Sequence, residues 1–172
     1  MLNRSSSRPL ALVAALIGGL SLAACATTPS GRTTSTEFSA DAFAWSAKPG
    51  RGVIDGRVIF SQDGKSFSCV GNVGLIPDTG FTRARMQRLY GSTTRAVVPA
   101  AVVRARSDGE QASDYRAFER AEPCTDNSFR FTDLPEGSWF LISPVRADDE
   151  IVVLMRQVQT RGGRTIPVTL GN

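Results

Sequence analysis

The chain has 172 residues, enough for one domain with some left over for processing signals and a linker. With 41% hydrophobic and 21% charged residues its composition is ordinary for a globular protein. The formal charge of +4, from 20 basic and 16 acidic residues, is too small and too evenly mixed to argue nucleic-acid binding, and the absence of histidine removes the commonest general base, triad base and zinc ligand together.

Arg4 and Arg8 form a positive start, and residues 10–24 are apolar over about the length of a secretory signal's hydrophobic region. That run is short for a membrane span, which needs about 20 residues. It ends Leu22-Ala23-Ala24-Cys25. This closely resembles the bacterial lipoprotein signal, in which the peptidase cuts before a cysteine that has received a diacylglyceryl group. The resemblance implies that residues 1–24 are removed, that Leu22, Ala23 and Ala24 are the peptidase recognition residues, and that Cys25 becomes an acylated amino terminus. The alternative is an ordinary secretory signal with an incidental cysteine. Each buried methylene is worth about 0.8 kcal/mol, so two or three acyl chains anchor essentially permanently. Ala26 follows the cysteine where inner-membrane retention signals carry aspartate, so the resemblance implies an outer-membrane, lipid-anchored location. Loss of Arg4 and Arg8 lowers the formal charge from +4 to +2.

Residues 25–49 read as the acylated cysteine, a polar tether and a flanking segment. Residues 26–36 hold too little apolar surface to offset their ordering entropy. Phe38, Phe43 and Trp45 then form an apolar cluster, expected as a short strand or turn on the flank of a domain spanning residues 50–172. In that domain Val58 and Phe60 give a strand an inward face, and Asp63-Gly64 signals a hairpin. Residues 66–76 are expected as the returning strand, with Gly71 and Gly74 marking a bulge or a close backbone approach and Pro77 ending it.

Residues 81–90 are the one helical candidate. Thr79 is placed to cap it, Phe81, Met86, Leu89 and Tyr90 lie roughly along one side, and Gly91 stops it. Arg83, Arg85 and Arg88 project beside the other side, either as a solvated face or as a contact for anionic lipid or glycan. Residues 97–106 read as a strand, with Pro99 favouring an edge, and residues 107–110 as a turn. Residues 113–122 stay open between an edge strand and a helical turn.

Phe129 and Phe131 alternate with Arg130 and Thr132, which puts both rings on one face of a strand. Residues 133–137 supply a tight turn, Pro135 presetting φ and Gly137 available for a positive φ. Trp139, Phe140, Leu141 and Ile142 follow as a buried strand. Residues 150–160 are β-rich, residues 161–164 turn the chain, and Ile166, Val168 and Leu170 alternate to the end. About seven short strands separated by turn signals, with one short helix, predict an all-β antiparallel sandwich.

Two blocks carry a further resemblance. One runs over residues 69–81, followed by Arg85, Met86, Leu89, Tyr90 and Gly91; the other covers residues 127–140. The second resembles the G-x-F-x-F-x-x-L-P-x-G-x-Y/W signature of bacterial carboxypeptidase regulatory-like domains. Asn127 stands where that family has glycine, and asparagine is the next most tolerant of left-handed geometry. The resemblance implies a transthyretin-like sandwich in an accessory role and carries over no catalytic residue.

Cys69 and Cys124 are the remaining thiols, and in an exported domain they are expected to pair, closing a loop of about 55 residues worth roughly 4 kcal/mol. Two separately buried thiols are the alternative. The acidic pairs at Asp108 with Glu110 and at Asp148, Asp149 and Glu150 lack the alternating spacing of a calcium loop and read as solvated turns. No serine is paired by motif with a base, and no glycine-rich phosphate loop opens a helix. We therefore expect no enzyme, no cofactor and no metal, but a lipid-anchored envelope protein acting as a structural or protein-interaction module. Its partner surface would be drawn from Arg83, Arg85, Arg88, Tyr90, Tyr115 and Trp45. The reading from another class is a carbohydrate or small-ligand binder, with Trp45 and Tyr115 as the open aromatic platforms.

Overall fold

The computed structural model describes residues 36–108 and 114–171. The signal and acylation residues Leu22, Ala23, Ala24 and Cys25, and the expected turn at Gly109 and Glu110, lie outside them.

The described residues fold as a two-sheet sandwich with helices on one outer face. Strands β1 (Gly52–Gln62) and β2 (Lys65–Cys69) form the expected hairpin, with Gln62 opposite Lys65 and both Asp63 and Gly64 at positive φ. The first sheet has the order β9–β1–β6, where β6 is Ser128–Leu134 and β9 is Thr165–Gly171. The second has the order β5–β3–β7–β8–β4, from β3 (Asn72–Pro77), β4 (Arg95–Pro99), β5 (Arg120–Pro123), β7 (Gly137–Ala147) and β8 (Glu150–Thr160). Strand β2 joins the layers, pairing with the end of β1 and, through Ser68 and Cys69, with β7.

Between the sheets lies the larger core. Ile54, Val58 and Phe60 of β1, Phe129 and Phe131 of β6, and Val168 and Leu170 of β9 meet Trp139, Leu141 and Val145 of β7 and Val152, Leu154 and Val158 of β8. The period-two pattern read from the sequence is therefore the inward face. Strand β7 also sends Phe140 and Ile142 into a second core on the opposite side of its sheet. Burial on both faces is why residues 139–142 are continuously apolar.

That second core is roofed by helices α1 (Ala40–Phe43), α2 (Gly80–Tyr90) and α3 (Ala100–Ser107), with 3-10 turns at Ala44–Ala47 and Asp114–Phe118. Helix α2 begins and ends as expected. Thr79 and Thr82 make a reciprocal capping box, and Gly91 closes the helix at φ 72°. Phe43 is fully buried and stacks on Phe118 at 5.0 Å, so the segment after the tether is a helical turn and not a strand.

Several expectations are corrected. The described residues hold nine strands in place of about seven, and a helical layer in place of one helix. Residues 97–106 are not one strand: β4 stops at Pro99 and α3 follows, because Ala100, Ala101, Arg104, Ala105 and Arg106 favour helix once proline has ended the ladder. Residues 66–76 are two strands that turn at Gly71 (φ 70°) and change partners. Residues 113–122 resolve into the 3-10 turn Asp114–Phe118 and then β5. The β1–β9 pair is parallel within an otherwise antiparallel fold.

Cys69 and Cys124 form a disulfide with their Cα atoms 6.1 Å apart. Beside it, Asp126 and Asn127 occupy a tight hairpin with φ of 50° and 59°, and Asn127 Oδ1 accepts from the Cys69 backbone N–H at 2.8 Å. Asparagine thus tolerates the left-handed position and uses its side chain to tie the hairpin to the disulfide. No helix among the described residues is long and apolar enough to cross a membrane.

Candidate functional site

A cleft of about 430 Å³ opens between the helical layer and the second sheet. Its floor is apolar, made by Ile76 of β3, Ile142 of β7, and Met86 and Leu89 of α2. Tyr90, Tyr115, Arg85, Arg116 and Glu119 bring polar groups to it. The volume lies within the usual small-molecule range, and an apolar floor with a few convergent polar groups is the usual make-up of a ligand site.

Local structure explains why these groups converge. Tyr90 ends α2 one residue before its glycine cap, and Tyr115 is carried on the 3-10 turn, where it packs against Phe81 at 5.6 Å. The Arg85 guanidinium lies over the Tyr115 ring, 5.2 Å from its centroid. Gly74 of β3 leaves space for Glu119: a Cβ there would stand 2.9 Å from Oε1. Burial lifts the Glu119 carboxyl above its ordinary value, and Arg116 pulls it back. Burial also raises the Tyr90 phenol, with further increments from Tyr115 and Glu119, and it is the largest cause of the rise at Tyr115. Chemically, the guanidinium groups donate and Glu119 accepts, so the cleft suits a ligand with both an apolar face and polar substituents.

The sequence-nominated residues separate. Arg85, Tyr90 and Tyr115 come together in this cleft. Tyr115 is only 5% exposed, so it is a wall and not an open stacking platform. Arg83 lies elsewhere, donating to Asp78 Oδ2 at 2.5 Å, and Arg88 is exposed on the outer side of α2. Trp45 stands at a second cleft of about 590 Å³, with Lys48, Arg51, Pro135, Glu136 and Gly163 around it. It is half-buried, edge-on to Trp139 at 4.8 Å.

Sequence reading did not nominate Arg116, Glu119 or Asp78. Asp78 has a nearly closed side chain: Oδ2 accepts from Arg83 and from Gln157 Nε2 of β8, while Oδ1 meets no donor among the described residues. No local signal points to Gln157 as its partner, since the two are 79 positions apart. No group of three or more metal-ligating side chains gathers among the described residues.

No family model matches the chain, and no curated protein does. Among the solved structures that resemble it are the following two. A Pseudomonas aeruginosa protein described as a "putative carbohydrate binding protein" aligns with a TM-score of 0.59, covering 79% of this chain and 98% of its own, at 19% identity. The minor pilin of Streptococcus agalactiae aligns with a TM-score of 0.34 at 15% identity, covering 74% of this chain and 44% of the pilin. At these identities the first likeness bears on the fold, and it agrees with the all-β sandwich.

Proposed function

We propose that this is a lipid-anchored protein of the bacterial cell envelope, held at the outer membrane through Cys25, whose sandwich serves as a non-catalytic structural or interaction module. The Cys69–Cys124 bridge carries the reading, because a paired disulfide fits export to an oxidising compartment. Leu22-Ala23-Ala24-Cys25 supplies the address and the thiol. The blocks at residues 69–81 and 127–140 support grouping the sandwich with carboxypeptidase regulatory-like domains, an accessory class. Growth with radioactive fatty acid tests the anchor: wild type is expected to take up label and Cys25→Ala to lose it. An unlabelled wild type, or label persisting in Cys25→Ala, overturns it. Crosslinking in intact cells to one defined envelope protein is the expected sign of the module role.

The two clefts favour a second reading, carbohydrate or small-ligand binding, and the description of the Pseudomonas aeruginosa structure lends it support. Here a glycan or peptidoglycan fragment would bind, and Trp45→Ala or Arg85→Ala would weaken binding at least tenfold. Such a result would move the protein from module to binder.

A further inference from the structure

From the start of α2 to the end of α3 the chain carries six arginines (Arg83, Arg85, Arg88, Arg95, Arg104 and Arg106) and no acidic residue. The remainder of the chain holds the other 14 of 20 basic residues against all 16 acidic ones, so the positive excess is confined to this stretch. The fold gathers four of the six on the exposed side of two neighbouring helices. Helices α2 and α3 pack beside each other, and Arg106 Nη1 donates to the Leu89 carbonyl across them at 2.7 Å. Arg83, Arg88, Arg104 and Arg106 are all exposed on the two helices, whereas Arg95 of β4 turns to the other side of its sheet and reaches the Gly171 carbonyl of β9. Helix α3 has no buried residue, and it presents Ala101, Val102 (36% exposed) and Ala105 among the arginines. Asp78 within this layer is already held by Arg83, and Asp108 stands at the rim.

The chain also enters the domain here. Phe38 packs on Phe81 of α2 at 5.9 Å. A segment as long as that between Cys25 and Phe38 spans at most about 45 Å.

We propose that the α2–α3 face docks on anionic phospholipid headgroups, so that the domain lies with its helical layer against the bilayer. This rests on the acyl-anchor reading for its proximity to the membrane, while the docking itself rests on the charge and the exposed apolar side chains. Arginines beside small apolar residues suit an interface where phosphates meet acyl chains.

For the test, the acylated protein carries an environment-sensitive fluorophore at Val102→Cys or, as control, at Arg57→Cys on the opposite sheet. It is placed on vesicles of phosphatidylcholine alone or mixed with phosphatidylglycerol. The fluorophore at position 102 is expected to report headgroup contact on the anionic vesicles only, and to lose it near 1 M salt, where the Debye length is about 3 Å. Arg88→Gln and Arg104→Gln, both exposed positions, are each expected to lower the docking equilibrium about fivefold. Equal signals on both vesicles, an equal signal at position 57, or no effect of the two substitutions overturns the proposal, as does preference for an acidic polysaccharide over the anionic vesicles. Retention on pure phosphatidylcholine reports the acyl anchor alone. A chain released from neutral vesicles that still docks on anionic ones refutes the anchor and keeps the face; one retained on both that docks on neither refutes the face.

Discussion

Trp139 shows at a single residue why the L-P-x-G-x-W block reads as it does. The indole is fully buried, so its N–H requires an acceptor, and Thr160 Oγ1 provides it at 3.1 Å while donating to the Pro135 carbonyl at 2.6 Å. Thr160→Val keeps the shape and orphans both groups, at about 1–3 kcal/mol each. The urea midpoint of that variant should fall accordingly, while Thr160→Ser stays near wild type. Gly137 has a related role that differs from the expected one: its φ is not positive, and the positive φ belongs to Asp133. Gly137 lacks a side chain because the Trp45 ring occupies the space a Cβ would fill. Tyr90 gives a pH prediction. Its phenol is raised from the ordinary 10.0 by burial first, so above that pH the unfolded chain releases a proton that the folded chain retains. Stability should be full below about pH 10 and decline as pH rises beyond it, and Tyr90→Phe should flatten that decline in denaturation midpoints.

At the level of elements, the first sheet has two free edges, and arginines from the second sheet cover carbonyls on both. Arg120 Nη1 donates to the Thr132 and Asp133 carbonyls of β6. Arg156 and Arg95 donate to Thr169 and Gly171 of β9. Unpaired edges invite strand addition, and these contacts oppose it. Removing them in an Arg120→Ala/Arg156→Ala double variant should increase self-association by light scattering; an unchanged monomer would show the edges are protected otherwise. The edges of β4 and β5 end in Pro99 and Pro123, which also disfavour pairing. Partner contact is therefore better sought on faces and clefts. Helix α2 depends on its cap, so Thr79→Ala should cost about 1 kcal/mol, measured by thermal melting.

For the whole molecule, the two cores share the second sheet, and the disulfide pins the β2–β3 corner to the tight turn that links β5 to β6. Closing a 55-residue separation is worth about 4 kcal/mol in the chain-entropy model. Cys69→Ser/Cys124→Ser should lose roughly that much in chemical denaturation, and denatured, unreduced wild type should show neither cysteine as a free thiol. The charge asymmetry also belongs to this scale. A net charge of +4 says little, whereas four exposed arginines on two helices packed side by side make a local field.

Local chemistry alone determined the strands around Phe129, Phe131, Ile166, Val168 and Leu170, the Asp63-Gly64 hairpin and both ends of α2. In each case the signal is a period of two or a residue whose backbone preference acts within a few positions. The acidless run from α2 to α3 was equally legible, though its meaning depends on the packing that brings the exposed arginines of the two helices together. Tertiary structure decided the rest: that Tyr115 is wall and Trp45 is rim, and that Glu119 lies over Gly74. Those outcomes turn on which surfaces meet across the sheets, and contacts between residues far apart in the chain leave no periodicity to read.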